Sequence, residues 1–161
     1  MAHDFDASEL TKAVEQLETK GIPWRRSDRR KWISFWILWL AVIVCATTMP
    51  WSNFKGHSHW GLVRWIPFGD HPLVLSDILA NIALFLPLGY FYFRAMPLSS
   101  PRATILSGLV VSALLSGGAE FYQVFCHDRI ASTTDVLTNT CGAGIGLWLA
   151  ILFTKGLREK E

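Results

Sequence analysis

Four apolar stretches, separated by polar or proline-bearing segments, set the pattern of this chain. A membrane-spanning helix needs about 20 mostly apolar residues to cross roughly 30 Å of hydrocarbon at about 1.5 Å per residue. Residues 31–49, 77–96, 103–125 and 135–154 meet that requirement. The first reads KWISFWILWLAVIVCATTM and is closed by Pro50; the second carries Pro87 inside it and is stopped by Pro97. A proline at that depth removes one backbone hydrogen bond, which a membrane helix tolerates when a neighbour covers the freed carbonyl. The predicted fold class is therefore all-α, a polytopic membrane protein with four transmembrane helices. Residues 1–30 form a separate head, 31–154 the membrane domain and 155–161 a short tail. In the head, Ser8 can cap a short amphipathic N-terminal helix whose Leu10, Val14 and Leu17 share a face, ended by Gly21 and Pro23. That helix is expected to lie against the bilayer.

Composition agrees with the pattern. Of 161 residues, 51% are hydrophobic and only 17% charged, the apolar end of the range for a chain of this size. A net charge of +2 is too small to point to nucleic acid. Its distribution says more, because Lys and Arg near span ends are retained on the cytoplasmic side. With the N-terminus inside, Lys12, Lys20, Arg25, Arg26, Arg29, Arg30, Lys31, Arg94, Arg102, Lys155, Arg158 and Lys160 are cytoplasmic, and only Lys55, Arg64 and Arg129 lie outside. Both termini are thus expected in the cytoplasm of a multi-pass protein of the plasma (inner) membrane. Residues 1–31 contain no apolar run, so no signal peptide is expected and the first span serves as its own insertion signal. The basic run RRSDRRK before that span suits anionic lipid.

The polar residues near the outer ends of the spans need a separate account. Ser76 to Tyr90 is SDILANIALFLPLGY and Thr134 to Trp148 is TDVLTNTCGAGIGLW, so an aspartate and an asparagine recur at an offset of 58 positions (77 to 135, 81 to 139). Glu120 and Gln123 share a face of the third span at i and i+3, and Arg129 sits in the short connection that follows. Two readings compete. In the structural one, Ser76 and Thr134 cap helix starts, the two acids meet the positive helix ends, and Asn81 and Asn139 tie helices together. In the other, Asp77, Asn81, Glu120, Gln123, Arg129, Asp135 and Asn139 gather at one membrane depth into a ligand-binding cluster. Small residues repeat every four positions at Gly108, Ser112 and Ser116 and again at Gly142 and Gly146. They predict that the third and fourth spans touch along the faces that lead to the polar groups. The aromatic loop from Pro50 to Leu75, with Trp51, Trp60 and Trp65, is expected at the outer interface, roofing the cluster.

Other chemistry is poorly represented. Cys45, Cys126 and Cys141 lack a CxxC spacing, and GAGIG at Gly142 to Gly146 has neither the third glycine nor the preceding strand of a dinucleotide fingerprint. His57, His59, His71 and His127 lie outside with Asp70 and Asp128, where a metal site is conceivable, but they read as solvated loop residues, since no HExxH or Cys/His spacing is present. No cofactor and no metal are expected, and no nucleophile elbow is present.

Taken together, Asp77 and Asn81 before FLPLG, then Glu120 and Gln123, Arg129, and Asp135 and Asn139 with glycines behind them resemble the VanZ-like family of small membrane proteins. RWIPF at Arg64 to Phe68 is similar to the family's segment before the second helix. The resemblance covers roughly residues 31–154. It implies a bacterial cell-envelope location and a link to susceptibility towards the glycopeptide teicoplanin, without a reaction. The expected partners are membrane lipids, a lipid-linked envelope precursor or a glycopeptide, with Arg129 holding an anionic group. The alternative is a membrane enzyme using Glu120 or Asp135 in acid/base chemistry on a lipid-linked substrate. A proton-coupled transporter fits less well, because Ile105 to Leu115 and Leu147 to Phe153 are nearly all apolar.

Overall fold

The computed structural model describes residues 11–12, 14–15, 26–69, 74–96, 98 and 100–158. It is all-α, with helices α1 (Arg26–Thr48), α2 (Leu75–Ala95), α3 (Pro101–Gln123) and α4 (Thr133–Arg158). Each contains a stretch long and apolar enough to cross a membrane. Single 3₁₀ turns at Trp51–Asn53 and Trp60–Leu62 punctuate the loop between α1 and α2. Arg29 Nε donates to the Ala95 carbonyl at 3.1 Å, so the start of α1 meets the end of α2. One end of the bundle therefore carries the loop of residues 49–69 and the α3–α4 connection, and the other carries the chain ends of the bundle.

α2 and α4 form the central pair, running in the same direction. Their backbones touch. A Cβ placed on Gly146 would meet the Leu86 carbonyl, one on Gly142 the backbone of Ile82, and one on Gly89 the Ala143 carbonyl. Only glycine allows this approach, because any side chain would stand where the neighbouring main chain runs. The small residues of α4 thus pack on α2, which corrects the expectation that they face the third span. The third span does reach α4 with its own small-residue face, as expected, but against other groups of α4: Gly108 faces Leu147, and also Tyr92 of α2, and Ser116 accepts a hydrogen bond from Asn139. The physical reason is that the second span brings its own small residue, Gly89, to the crossing, whereas Ser112 of the third bonds within its own helix, to the Gly108 carbonyl at 2.8 Å.

α1 lies at the periphery, with Phe35, Ile37, Leu38, Val42 and Val44 exposed and Ile43 wholly buried against Phe85, Leu88 and Ala143. It also covers the backbone of α2 beside Pro87. Pro87 has no N–H for the carbonyl one turn back, and the adjacent Leu84 carbonyl accepts the indole N–H of Trp39 at 2.8 Å. At the end opposite the loop, Tyr92, Phe93, Leu147, Ala150 and Ile151 form a cluster that Val14 joins, and Arg94 stacks on Trp32 at 4.5 Å. Val14 therefore packs on the bundle; the rest of the expected head helix lies mostly outside the described residues.

The helix starts differ from expectation. α2 begins at Leu75 after Val74, with no side-chain cap, and Ser76 Oγ turns to Asp77 Oδ1. At α4 the cap is Ser132, whose hydroxyl accepts from the Thr134 N–H at 3.2 Å. Thr134 instead accepts from the Phe68 N–H at 3.0 Å.

Candidate functional site

The loop of residues 49–69 is stitched to the α3–α4 connection at two places. Near its start, the Lys55 N–H donates to the Phe125 carbonyl, the His127 N–H to Asn53 and the His59 N–H to Val124. Further along, the Arg64 N–H donates to Ala131, and the Arg64 carbonyl accepts from both the N–H and the hydroxyl of Thr133. The RWIPF segment thus pairs with the chain just before α4, as the parallel bridge between Arg64 and Ser132 records. Trp60 and Trp65 stack at 6.1 Å, and Trp51, Trp65, Ile66 and Phe68 are exposed, the pattern of an interfacial belt.

Beneath this end lies a polar cleft of about 400 Å³, lined by Asp77, Asn81, Gln123, Asp128, Arg129, Ile130 and Asp135. Each side chain arrives by a short local route. Asp77 stands in the first turn of α2 and is exposed. One turn deeper, Asn81 donates to Asp135 Oδ1 at 3.0 Å and to Thr138 Oγ at 3.3 Å, so its amide joins α2 to α4. Gln123 ends α3 and reaches the Thr47 carbonyl at 3.5 Å. Arg129 Nη2 donates to the carbonyls of Ala46 and Met49 at 3.3 and 3.5 Å. These are the orphan acceptors at the C-terminal, negative end of α1, where a cation is favourable. Arg129 therefore fastens α1 as well as lining the cleft.

Two residues of the expected cluster lie elsewhere. Glu120 is buried and accepts the Ser132 N–H at 2.7 Å, holding the return of the chain into α4. It lines a second, apolar cavity of about 300 Å³ with Trp60, Val63, Trp65, Phe121, Val124 and Val136. Asn139, 3% exposed, donates to Ser116 Oγ at 2.8 Å and joins α3 to α4 below the cleft. Asp77, Asn81, Gln123, Arg129 and Asp135 thus come together, while Glu120 and Asn139 do not share their cavity. Asp128 is a member that the motif did not contain. Its signal was position alone, next to Arg129 in a connection too short to leave that end of the bundle.

The cleft sets three carboxylates, Asp77, Asp128 and Asp135, against one guanidinium and two amides. Such a lining can bind a group that carries both an ammonium and an anion, the first on the acids and the second on Arg129.

A four-helix multi-pass membrane protein with a polar cleft at one end is thus defined. Residues 32–154 match the VanZ/LLP1 family, and the chain belongs to that family. It is similar to an uncharacterized protein of Schizosaccharomyces pombe (strain 972 / ATCC 24843), at 32% identity over 89 residues, 55% of each chain. It is also similar to a subunit of the Na(+)-translocating NADH-quinone reductase of Psychrobacter sp. (strain PRwf-1), at 30% identity over 126 residues, 74% of this chain and 60% of that one. The chain spans less than two thirds of the length of either relative. No solved structure matches.

Proposed function

We propose that this is a bacterial cell-envelope protein whose loop end faces away from the cytoplasm and whose cleft receives the polar headgroup of a lipid or lipid-linked cell-wall precursor. Both termini would then lie in the cytoplasm, as the twelve basic residues assigned to that side favour. The observation that carries the reading is the cleft itself, lined by three carboxylates and Arg129 at the same end as an aromatic loop suited to the membrane interface. Its volume of about 400 Å³ lies within the usual range of small-ligand sites. The surplus of acids favours a zwitterionic headgroup, with an amine on the aspartates and a phosphate on Arg129. The apolar cavity beside Trp60, Trp65 and Phe121 is suited to part of an acyl chain. Holding such a precursor would alter how much of it a glycopeptide such as teicoplanin can reach, so susceptibility in cells is a secondary readout.

The enzymatic alternative draws no support from Glu120, which is committed to the Ser132 N–H outside the cleft. Ion translocation, present in the name of the Psychrobacter relative, needs a polar route to the far end. Below the cleft the backbones of α2 and α4 close on one another at Gly142 and Gly146.

The test is mass spectrometry of lipids that co-purify with the full chain in mild detergent. Wild type should carry an amine-bearing phospholipid or precursor. Asp77→Asn, which breaks no contact between helices, and Arg129→Lys, which loses the planar fork, should both lose it while eluting as wild type does. Equal lipid content in wild type and both variants would end the reading.

A further inference from the structure

Three histidines that sequence spacing left as solvated loop residues converge at the loop end. The rings of His57, His59 and His127 lie 4.7, 4.9 and 5.0 Å apart between centroids, and their ligand nitrogens all fall within 4.8 Å of one another. We propose that these three imidazoles bind one divalent transition metal ion, of which Zn²⁺ is the natural choice, with a fourth position open to solvent.

The scaffold is built for it. Two histidines come from the loop after α1 and one from the turn after α3, and backbone bonds pin both segments together around the cluster. Phe54 and Cys126 form an antiparallel bridge, the His127 N–H donates to Asn53 at 3.2 Å, and the Lys55 N–H donates to Phe125 at 3.0 Å. Gly56, just before His57, stands at φ 78°, a left-handed conformation that suits glycine and strains other residues. His59 is set most firmly. Its Nδ1 lies 3.1 Å from the Val124 carbonyl, which can only accept, so Nδ1 carries the proton and Nε2 presents its lone pair. A backbone carbonyl on the far nitrogen is the usual outer partner of a metal-binding histidine.

Distances decide whether the ion fits. Zn–N bonds of about 2.0–2.1 Å in tetrahedral geometry hold the nitrogens about 3.3 Å apart. A present spread of up to 4.8 Å must close by about 1.5 Å. His57 and His127 are exposed and can turn about their side-chain bonds, while the half-buried His59 stays as the anchor. Three nitrogen ligands and one open position are the arrangement of zinc sites that accept a water or an anion, in contrast to closed four-ligand structural sites. The ion would also cross-link the loop to the turn. Because His127 directly precedes Asp128 and Arg129, it would steady one wall of the polar cleft. The inference stands on the three histidines alone and does not depend on what the cleft holds or on which side of a membrane it faces.

The test uses the full chain purified in detergent without a polyhistidine tag. Zn²⁺ titration by calorimetry should give one ion per chain, and added Zn²⁺ should raise the melting temperature, because an ion bound only to the folded state stabilises it. Co²⁺ in its place should develop the strong visible absorption of a four-coordinate site. His57→Ala and His127→Ala remove exposed rings, so their metal-free melting should match wild type while stoichiometric Zn²⁺ binding, the Co²⁺ spectrum and the Zn²⁺-dependent shift are lost. A wild-type chain that takes up no Zn²⁺ would overturn the proposal, as would binding that persists unchanged in both variants. Equal lipid content in wild type, Asp77→Asn and Arg129→Lys, with Zn²⁺ binding intact, would count against the cleft reading alone.

Discussion

Asp77 and Asn81 occupy the same turn of α2 that Asp135 and Asn139 occupy in α4, yet the two pairs do different work. In α2 the acid is exposed and the amide spans to Asp135 and Thr138. In α4 the acid receives that amide, and Asn139 turns the other way, to Ser116 of α3. Side chains four residues apart lie on nearly one face of a helix, so the motif guarantees that its acid and amide point in similar directions. It does not say which helix lies there. α4 sits between α2 and α3 and shares its face between them, whereas α2 offers its polar face to one neighbour and to solvent. A repeated sequence thus yields one copy with both its acid and its amide on the cleft and one whose acid lines the cleft while its amide holds the bundle.

The comparison can be broken at the contact that makes the two copies neighbours. Gly146→Ala should cost about 3 kcal/mol or more, the top of the overpacking range, because the new methyl meets backbone that cannot turn aside. Gly117→Ala, where a Cβ finds open space, should be close to neutral. Thermal unfolding in detergent with size-exclusion profiles distinguishes them.

Next in size is the polar bond that seats the second copy. Glu120→Ala strands the buried Ser132 N–H and should destabilise by about 1–3 kcal/mol, while Glu120→Gln keeps an acceptor and should recover most of it. Similar melting of the two variants would show that the bond does not seat α4.

The asparagines sharpen the contrast. Asn81→Ala and Asn139→Ala should each lose an interhelical bond worth about 0.6–1.7 kcal/mol. A double-mutant cycle should couple Asn81 to Asp135 and Asn139 to Ser116, and show no coupling between Asn81 and Ser116. The smallest stability effect belongs to Asp77→Asn, within about 0.5 kcal/mol, since among the described residues its side chain bonds only to Ser76. A large loss of melting temperature there would mean that Asp77 has a packing role.

Much of the fold was readable because lipid leaves few options. Backbone groups in hydrocarbon must be satisfied within a helix, so apolar runs of sufficient length mark the helices directly. The observed α2 starts two residues before the expected boundary, and α3 ends two before it. Such margins are ordinary for helix ends, where local caps compete. A neighbour was expected at the carbonyl that Pro87 frees; the observed bond, from Trp39, goes to the adjacent Leu84 carbonyl, and nothing in the sequence chose Trp39 to provide it. The partner of the Gly142 and Gly146 face was misread because small residues occur on both candidate helices, and a one-dimensional pattern cannot rank two faces that each admit close approach.

The site divides along the same line. Asp77, Asn81, Gln123, Arg129 and Asp135 were legible as a group because each lies within about two turns of a helix end, and span counting puts those ends at one depth. Glu120 and Asn139 were separated from them by rotation about the helix axes, which span counting does not contain. His57, His59 and His127 were named together with His71 and set aside as solvated, because 68 positions separate His59 from His127 and no short-range spacing encodes a loop folding back on a turn. The sequence by itself determined the number of helices, the end at which polar groups gather and the small residues that permit tight crossing, since each follows from local chemistry against a bilayer. Only the tertiary structure decided which helices touch, which carboxylates share a cavity and which imidazoles meet. Those outcomes depend on helix rotation and loop return, set by the packing of all four helices at once.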